Sequence, residues 1–214
     1  MKEWIANYVK GCAVCQQNKI ITYRTKVPPY RIPTKSNAQP FQCVAMDLIT
    51  RLPPIKGKDA ILTIIDQGCS HVAIFLACDT TITGPGITQL YMDHMFRWFS
   101  LPDKVISDHD PQFISHFRKS LTKRLHIQQN LSTAFHPQTD RLSERKNQWV
   151  EQYLQLVTSA APKDWTQWLA LATAIHNNQK NSTTRLSPNQ IILGYDIKLN
   201  PAITAPSINE TMEE

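Results

Sequence analysis

Residues 43–49 read Cys43-Val44-Ala45-Met46-Asp47-Leu48-Ile49. A short apolar run of this kind predicts a buried strand. One member does not fit. Asp47 stands between Met46 and Leu48, where a carboxylate is costly unless it is paired, coordinated or turned to solvent. A second apolar run, Lys104-Val105-Ile106-Ser107, ends on Asp108. A third acid, Glu144, opens an amphipathic pattern, with 35 residues between it and Asp108. Two carboxylates at the ends of neighbouring strands and one on a helix can hold two divalent ions about 4 Å apart, a geometry suited to in-line displacement at a phosphodiester. Each acid alone has an ordinary explanation: a solvent-facing strand position for Asp47, a turn or cap at Asp108-His109-Asp110-Pro111, and a favourable helix dipole for Glu144. The three in this order and spacing carry the signal.

Outward from these acids the element order is legible. Phe41–Thr50, Ala60–Asp66 and Val72–Cys78 read as three strands. Ile87–Phe99 reads as a helix after the Gly84-Pro85-Gly86 break, and Lys104–Ser107 as a fourth strand. Gln112–Leu125 is predicted helical and His126–Leu131 a fifth strand. The helix of Glu144 follows, then a helix over Trp165–Asn177 and a short one from Ser187-Pro188, with Pro at its first position. This predicts an α/β fold, a mixed five-stranded sheet flanked by helices. The order fits an RNase H-like layout, though order alone does not single it out. On the Glu144 helix, Glu144, Gln148, Glu151 and Gln155 share one side, and Val150, Tyr153, Leu154 and Val157 occupy the other. Trp165 and Trp168 read as core rather than as a helix–helix dimer face.

Around this domain, at residues 42–194, residues 1–20 form a helix-like lead with Cys12 and Cys15. Residues 21–41 form a Pro-rich linker and residues 195–214 an irregular tail. Lys and Arg outnumber Asp and Glu by 23 to 17 and the isoelectric point is near 9.1. That balance is compatible with a polyanionic partner without demonstrating one. Five cysteines at irregular spacing point to a reducing, intracellular setting rather than a disulfide framework. No apolar run is long enough to span a bilayer, so no membrane association is expected.

Several motifs, in order, resemble one family. They are Cys12-Ala13-Val14-Cys15-Gln16-Gln17-Asn18-Lys19, Met46-Asp47-Leu48-Ile49, Leu101 to Asp110, Ser132 to Asp140, Ser143-Glu144-Arg145-Lys146-Asn147 and Ser182 to Pro188. Together they resemble the integrase core of Gypsy-type long-terminal-repeat retrotransposons, kin of retroviral integrases. The resemblance implies a catalytic and metal-binding triad of Asp47, Asp108 and Glu144 that uses two Mg²⁺ or Mn²⁺ ions. It implies 3′-end processing and strand transfer of DNA, with element ends and target DNA as partners. A homo-oligomer, contact with RNA and a nuclear location are further expectations. His136 and Gln138, in a segment that resembles the mobile active-site loop, are expected at the DNA end. Arg141, Arg145, Lys146 and Gln148, beside Glu144, are expected near phosphates. Arg118, Lys119, Lys123 and Arg124 read as a solvated helix face.

The chain departs from that family in two places. Arg141-Leu142-Ser143 stands where relatives usually carry Gly-Gln-Thr, which removes backbone freedom from the loop hinge. Cys12 and Cys15 have the spacing of half a zinc site, but no His pair precedes them, so the expectation is an empty remnant of a truncated zinc-binding module. These departures give weight to an alternative, a catalytically silent nucleic-acid-binding relic or host-adopted integrase-like protein.

Overall fold

The computed structural model describes residues 2–12, 39–99, 101–107, 111–125, 132–134, 140–160, 164–181 and 184–199. Five strands form one sheet: β1 (Cys43–Ile49), β2 (Ala60–Asp66), β3 (Ala73–Cys78), β4 (Lys104–Ile106) and β5 (Ser132–Ala134), in the order β3-β2-β1-β4-β5. The first three form an antiparallel meander, and β4 and β5 join in parallel. The mixed sheet is the one expected. The fifth strand lies at Ser132–Ala134, and residues 126–131, where the sequence reading put it, are outside the described residues.

Six helices accompany the sheet among the described residues: α1 (Lys2–Gly11), α2 (Gly84–Tyr91), α3 (Pro111–Leu125), α4 (Asp140–Ala160), α5 (Leu169–Asn177) and α6 (Pro188–Leu193). α2 runs on through a π-helical turn, Met92–Phe96, into a last turn, Arg97–Phe99. A 3-10 turn, Trp165–Trp168, leads into α5. α6 has the expected start, with Pro188 in its first turn. Ser187 and Gln190 make a reciprocal capping box, and Gly194 ends the helix in the left-handed region at φ 82°.

Alternation along the strands divides the core in two. On one face Val44, Met46, Leu62, Ile64 and Val105 pack against Ile87, Tyr91, Met95, Phe117 and Leu121 of α2, its π turn and α3. On the other, Ala45, Ile49, Ile61, Ile65 and Phe75 pack against Val150 and Leu154 of α4, with Trp165, Leu169 and Ala172. Trp165 is therefore core, its indole N–H donating to the Pro53 carbonyl at 2.8 Å. Asp47 alternates with Ala45 and Ile49, so it faces α4.

The segment read as a break, Gly84-Pro85-Gly86, is the first turn of α2, because Pro is tolerated where a helix has no N–H to satisfy. Gly84 also lets α2 and α3 touch. A Cβ there would lie 2.7 Å from the backbone carbonyl carbon of His116. Beside it, the Thr88 hydroxyl donates to the Gly84 carbonyl at 2.8 Å. Gly84→Ala is expected to destabilise the fold by about 1–3 kcal/mol, read as a lower urea midpoint. An unchanged midpoint would show that the two helices do not meet at this glycine.

β3 is an edge strand, and α5 covers its free backbone groups. The Ala73 N–H donates to Asn177 Oδ1 at 2.9 Å, and Asn177 Nδ2 donates back to the Ala73 carbonyl at 2.8 Å. The Phe75 N–H reaches Thr173 Oγ1 at 3.4 Å. A side chain thus stands in for a missing strand. Asn177→Ala would strand two buried backbone groups, at an expected cost of about 2–4 kcal/mol. Thermal denaturation should show a midpoint lower by about 5–15 °C, and a shift below about 2 °C would contradict this role.

Candidate active site

Asp47 is half-buried on β1, beneath α4. Its Oδ1 accepts from the Leu48 N–H at 2.8 Å, and its Oδ2 accepts a short hydrogen bond from Asn147 Nδ2. The carboxylate is thereby oriented by one donor from its own strand and one from the helix that carries Glu144. Asn147 appears within the Ser143–Asn147 motif, but the sequence reading gave it no role. Its signal was its place one turn from Glu144, about 60° away around the axis.

Glu144 is exposed on α4. The helix begins at Asp140, so Glu144 stands beyond the first turn, where the helix dipole gives a carboxylate little. The same start places residues 141–143 inside the helix rather than at a loop hinge. A glycine missing there favours the helix instead of stiffening a loop. The face predicted by periodicity holds: Val150 and Leu154 are buried while Glu144, Gln148, Glu151 and Gln155 are exposed.

Of the other expected residues, Asp108, His136, Gln138 and Cys15 lie outside the described residues. Ile106, two positions before Asp108, aligns with Ala45, two positions before Asp47, across the parallel β1–β4 pair. Arg145 is exposed beside Glu144, and Arg141 lies in the first turn of α4. Cys12 follows the end of α1, its N–H donating to the Tyr8 carbonyl at 3.0 Å.

Lys146 requires a correction. It does not stand among the exposed residues as a phosphate ligand. Its ammonium turns inward, donating to the His71 carbonyl at 3.0 Å and facing His176 Nε2 at 2.6 Å. A helical wheel puts Lys146 about 200° from Glu144, in the middle of the apolar face, and that is the signal its charge overrode. Burial pushes its pKa down to about 8. His176 packs edge-on to Trp149, with ring centroids 4.6 Å apart. Burial, and then the Lys146 charge, hold its pKa far below the usual histidine value. His71 lies in the left-handed region at φ 60°. That lets the β2–β3 turn, held by the buried Asp66 carboxylate through the N–H groups of Gly68, Cys69 and Ser70, double back toward α4.

The donor set around Asp47 suits a hard cation. Beside its carboxylate are two buried oxygens without a hydrogen-bond partner among the described residues, Asn147 Oδ1 and Thr63 Oγ1. Oxygen-only surroundings favour Mg²⁺ or Mn²⁺ over zinc. Among the described residues no three His, Cys, Asp or Glu side chains form a ready metal cluster, and Asp108 is not one of those residues.

Over its whole length the chain is 30% identical to the Tf2-3 and Tf2-4 transposon polyproteins of Schizosaccharomyces pombe. Along its whole length the chain is therefore similar to one segment of these transposon polyproteins. It spans about 16% of the length of those polyproteins. No family model matches the chain. The fold agrees with integrase cores. A chain of a simian T-cell lymphotropic virus intasome superimposes with a TM-score of 0.59 at 16% identity, over 94% of this chain and 71% of that one. The HTLV-2 integrase catalytic core in complex with magnesium, in a trimeric form, gives 0.53 at 16% identity, over 71% of this chain and 96% of that one. The BIV integrase core gives 0.53 at 18% identity, over 72% of this chain and 95% of that one.

Proposed function

We propose that this chain is an integrase core, a polynucleotidyl transferase that trims the 3′ ends of its element's DNA and joins them to target DNA. Water displaces the terminal nucleotides, and the freed 3′-hydroxyl then attacks a target phosphodiester in line, expelling the opposite 3′-oxygen. The observation that carries this reading is the Asp47 carboxylate, held by Asn147 against the helix that presents Glu144. Asp47, Glu144 and Asp108 would hold two Mg²⁺ or Mn²⁺ ions. Such ions supply positive charge to activate the attacking oxygen and stabilise the leaving one.

The chain's own residues then have separable tasks. Asn147 and the Leu48 N–H fix the rotamer of Asp47, so its oxygens are set before substrate arrives. The buried face of α4 fixes the height of Glu144 above the sheet. Exposed Arg145 and Gln148 meet the DNA backbone, which positions the strand without reading its sequence. A nuclear setting and assembly with further copies on two DNA ends follow from this substrate.

Disintegration of a branched DNA, the reverse of strand transfer, tests the reading, because it asks little of flanking modules. Product that requires Mn²⁺ and disappears on chelation is expected. A folded, DNA-binding chain that yields no product under any divalent ion would favour a binding protein without turnover.

A further inference from the structure

The core side chains of α4 among the described residues are Trp149, Val150, Tyr153, Leu154 and Val157, all beyond Asn147. Nearer the helix N-terminus the inward positions are polar: Ser143, which is buried, and Lys146. Lys146 comes two residues after Glu144 and one before Asn147, so it lies within about 3 Å of rise of both. Apolar contacts resist separation but tolerate sliding and rotation, because they have no preferred direction. The hydrogen bonds of Lys146 do have one.

Both acceptors of Lys146 are fixed parts of the frame. The His71 carbonyl, at 3.0 Å, belongs to the β2–β3 turn. There the Ser70 hydroxyl donates to Asp66 Oδ2 at 2.7 Å, beside the three N–H groups that already hold this carboxylate. His176 Nε2, at 2.6 Å, is on a ring packed against Phe75 and Trp149, with centroids 5.9 and 4.6 Å away. Its Nδ1 is buried without a hydrogen-bond partner among the described residues, so Nε2 is the nitrogen through which the ring binds. The next residue, Asn177, clamps α5 to β3. Lys146 thus joins α4, the β2–β3 turn and α5 at one point. A methionine would fill the space without joining them, and such a replacement of a buried charge is often neutral for stability. Stability alone does not account for the lysine.

We propose that Lys146 is a positioning residue: its bonds to the His71 carbonyl and His176 Nε2 set the rotation and height of the α4 turn from which Asn147 holds Asp47 and Glu144 projects. This rests on the proposed integrase function and adds a residue that touches neither DNA nor metal. A displacement of about 1 Å can cost about 10²-fold in rate, so losing the pin is felt in turnover rather than in DNA binding.

Disintegration kinetics of Lys146→Met at pH 7, with its urea midpoint as the check on folding, test this. The rate at saturating DNA should fall about five- to twentyfold, with KM within about twofold of the wild type. His176→Leu should lower the rate about threefold. His176→Gln, whose side-chain amide stands near the lost Nε2, should restore most of it. An NMR spectrum reads the pin without turnover: the Asn147 side-chain amide signal should shift in Lys146→Met. A raised KM with the rate unchanged, and a salt dependence shallower by about one unit, would make Lys146 a phosphate contact and overturn the proposal. An unchanged rate with an unmoved Asn147 signal would overturn it too. A wild type without turnover would overturn the integrase reading instead, and the Asn147 signal would then decide alone, a shift upholding the pin and no shift removing it.

Discussion

Replacing Glu144 by Gln is expected to lower metal-dependent disintegration by about 10²–10⁴-fold, since a ligand carboxylate supplies several kcal/mol of charge stabilisation. The thermal midpoint should stay within about 2 °C of the wild type. The two expectations belong together because Glu144 is exposed on α4, while the helix is anchored by Val150 and Leu154 on its opposite side. Surface substitutions away from such anchors cost little. Gln keeps the size and hydrogen bonding of the side chain and removes only the charge. Steady turnover by this variant would remove Glu144 from the site. Lost turnover accompanied by unfolding would make its role structural.

The second large effect is a dependence of stability on pH arising from Lys146 and His176. In the unfolded chain Lys146 holds its proton up to about pH 10.4, whereas in the folded chain burial brings that limit to about 8. Between those values Lys146 binds more protons in the unfolded state, so this group alone raises folding stability with pH by about 3 kcal/mol across the window, while the buried Cys78 thiol and Tyr91 phenol, held above their usual values by burial, lower it over the same range. His176 acts in the acid range with the same sign as Lys146. It stays neutral in the folded chain, because burial and the Lys146 charge disfavour its protonation. Stability should therefore fall as pH drops through about 6.5, where unfolded histidine takes up a proton. Urea midpoints measured from about pH 4 to 10.5 should fall below about pH 6.5, and from about pH 8 to 10.4 the wild type should gain on Lys146→Met. Lys146→Met should lack the lysine's contribution, so its alkaline slope is the less favourable of the two, and it should remain at least as stable as the wild type at pH 7, since replacing a buried charge by an apolar side chain is often neutral or stabilising. An alkaline slope unchanged in Lys146→Met would mean that another group titrates there.

Asp47 was legible in the sequence because a carboxylate inside an apolar strand has few inexpensive explanations. The sheet was legible because three apolar runs and the later run ending at Ile106 obey simple alternation. Lys146 was misread from its sign of charge, although its position on the helical wheel pointed inward. Asn147 and Thr63 were silent for a different reason. Amides and hydroxyls serve in caps, turns and surfaces alike, and only a neighbour in space identifies them as part of a site. The clamp of Asn177 on Ala73 joins residues 104 apart, a pairing that no local pattern encodes. The helix starts at Asp140, since Arg141 and Leu142 are good helix formers with no glycine to interrupt them.

The central claim is that Asp47, oriented by Asn147, and Glu144 hold divalent ions at one place between β1 and α4. Anomalous scattering from a crystal soaked in Mn²⁺ tests it most directly. The account predicts a manganese peak within about 2.0–2.6 Å of a carboxylate oxygen of Asp47, with Asp108 or Glu144 among the other ligands. A single strong peak elsewhere on the molecule, with the Asp47–Asn147 hydrogen bond intact and no ion on Asp47, would contradict it.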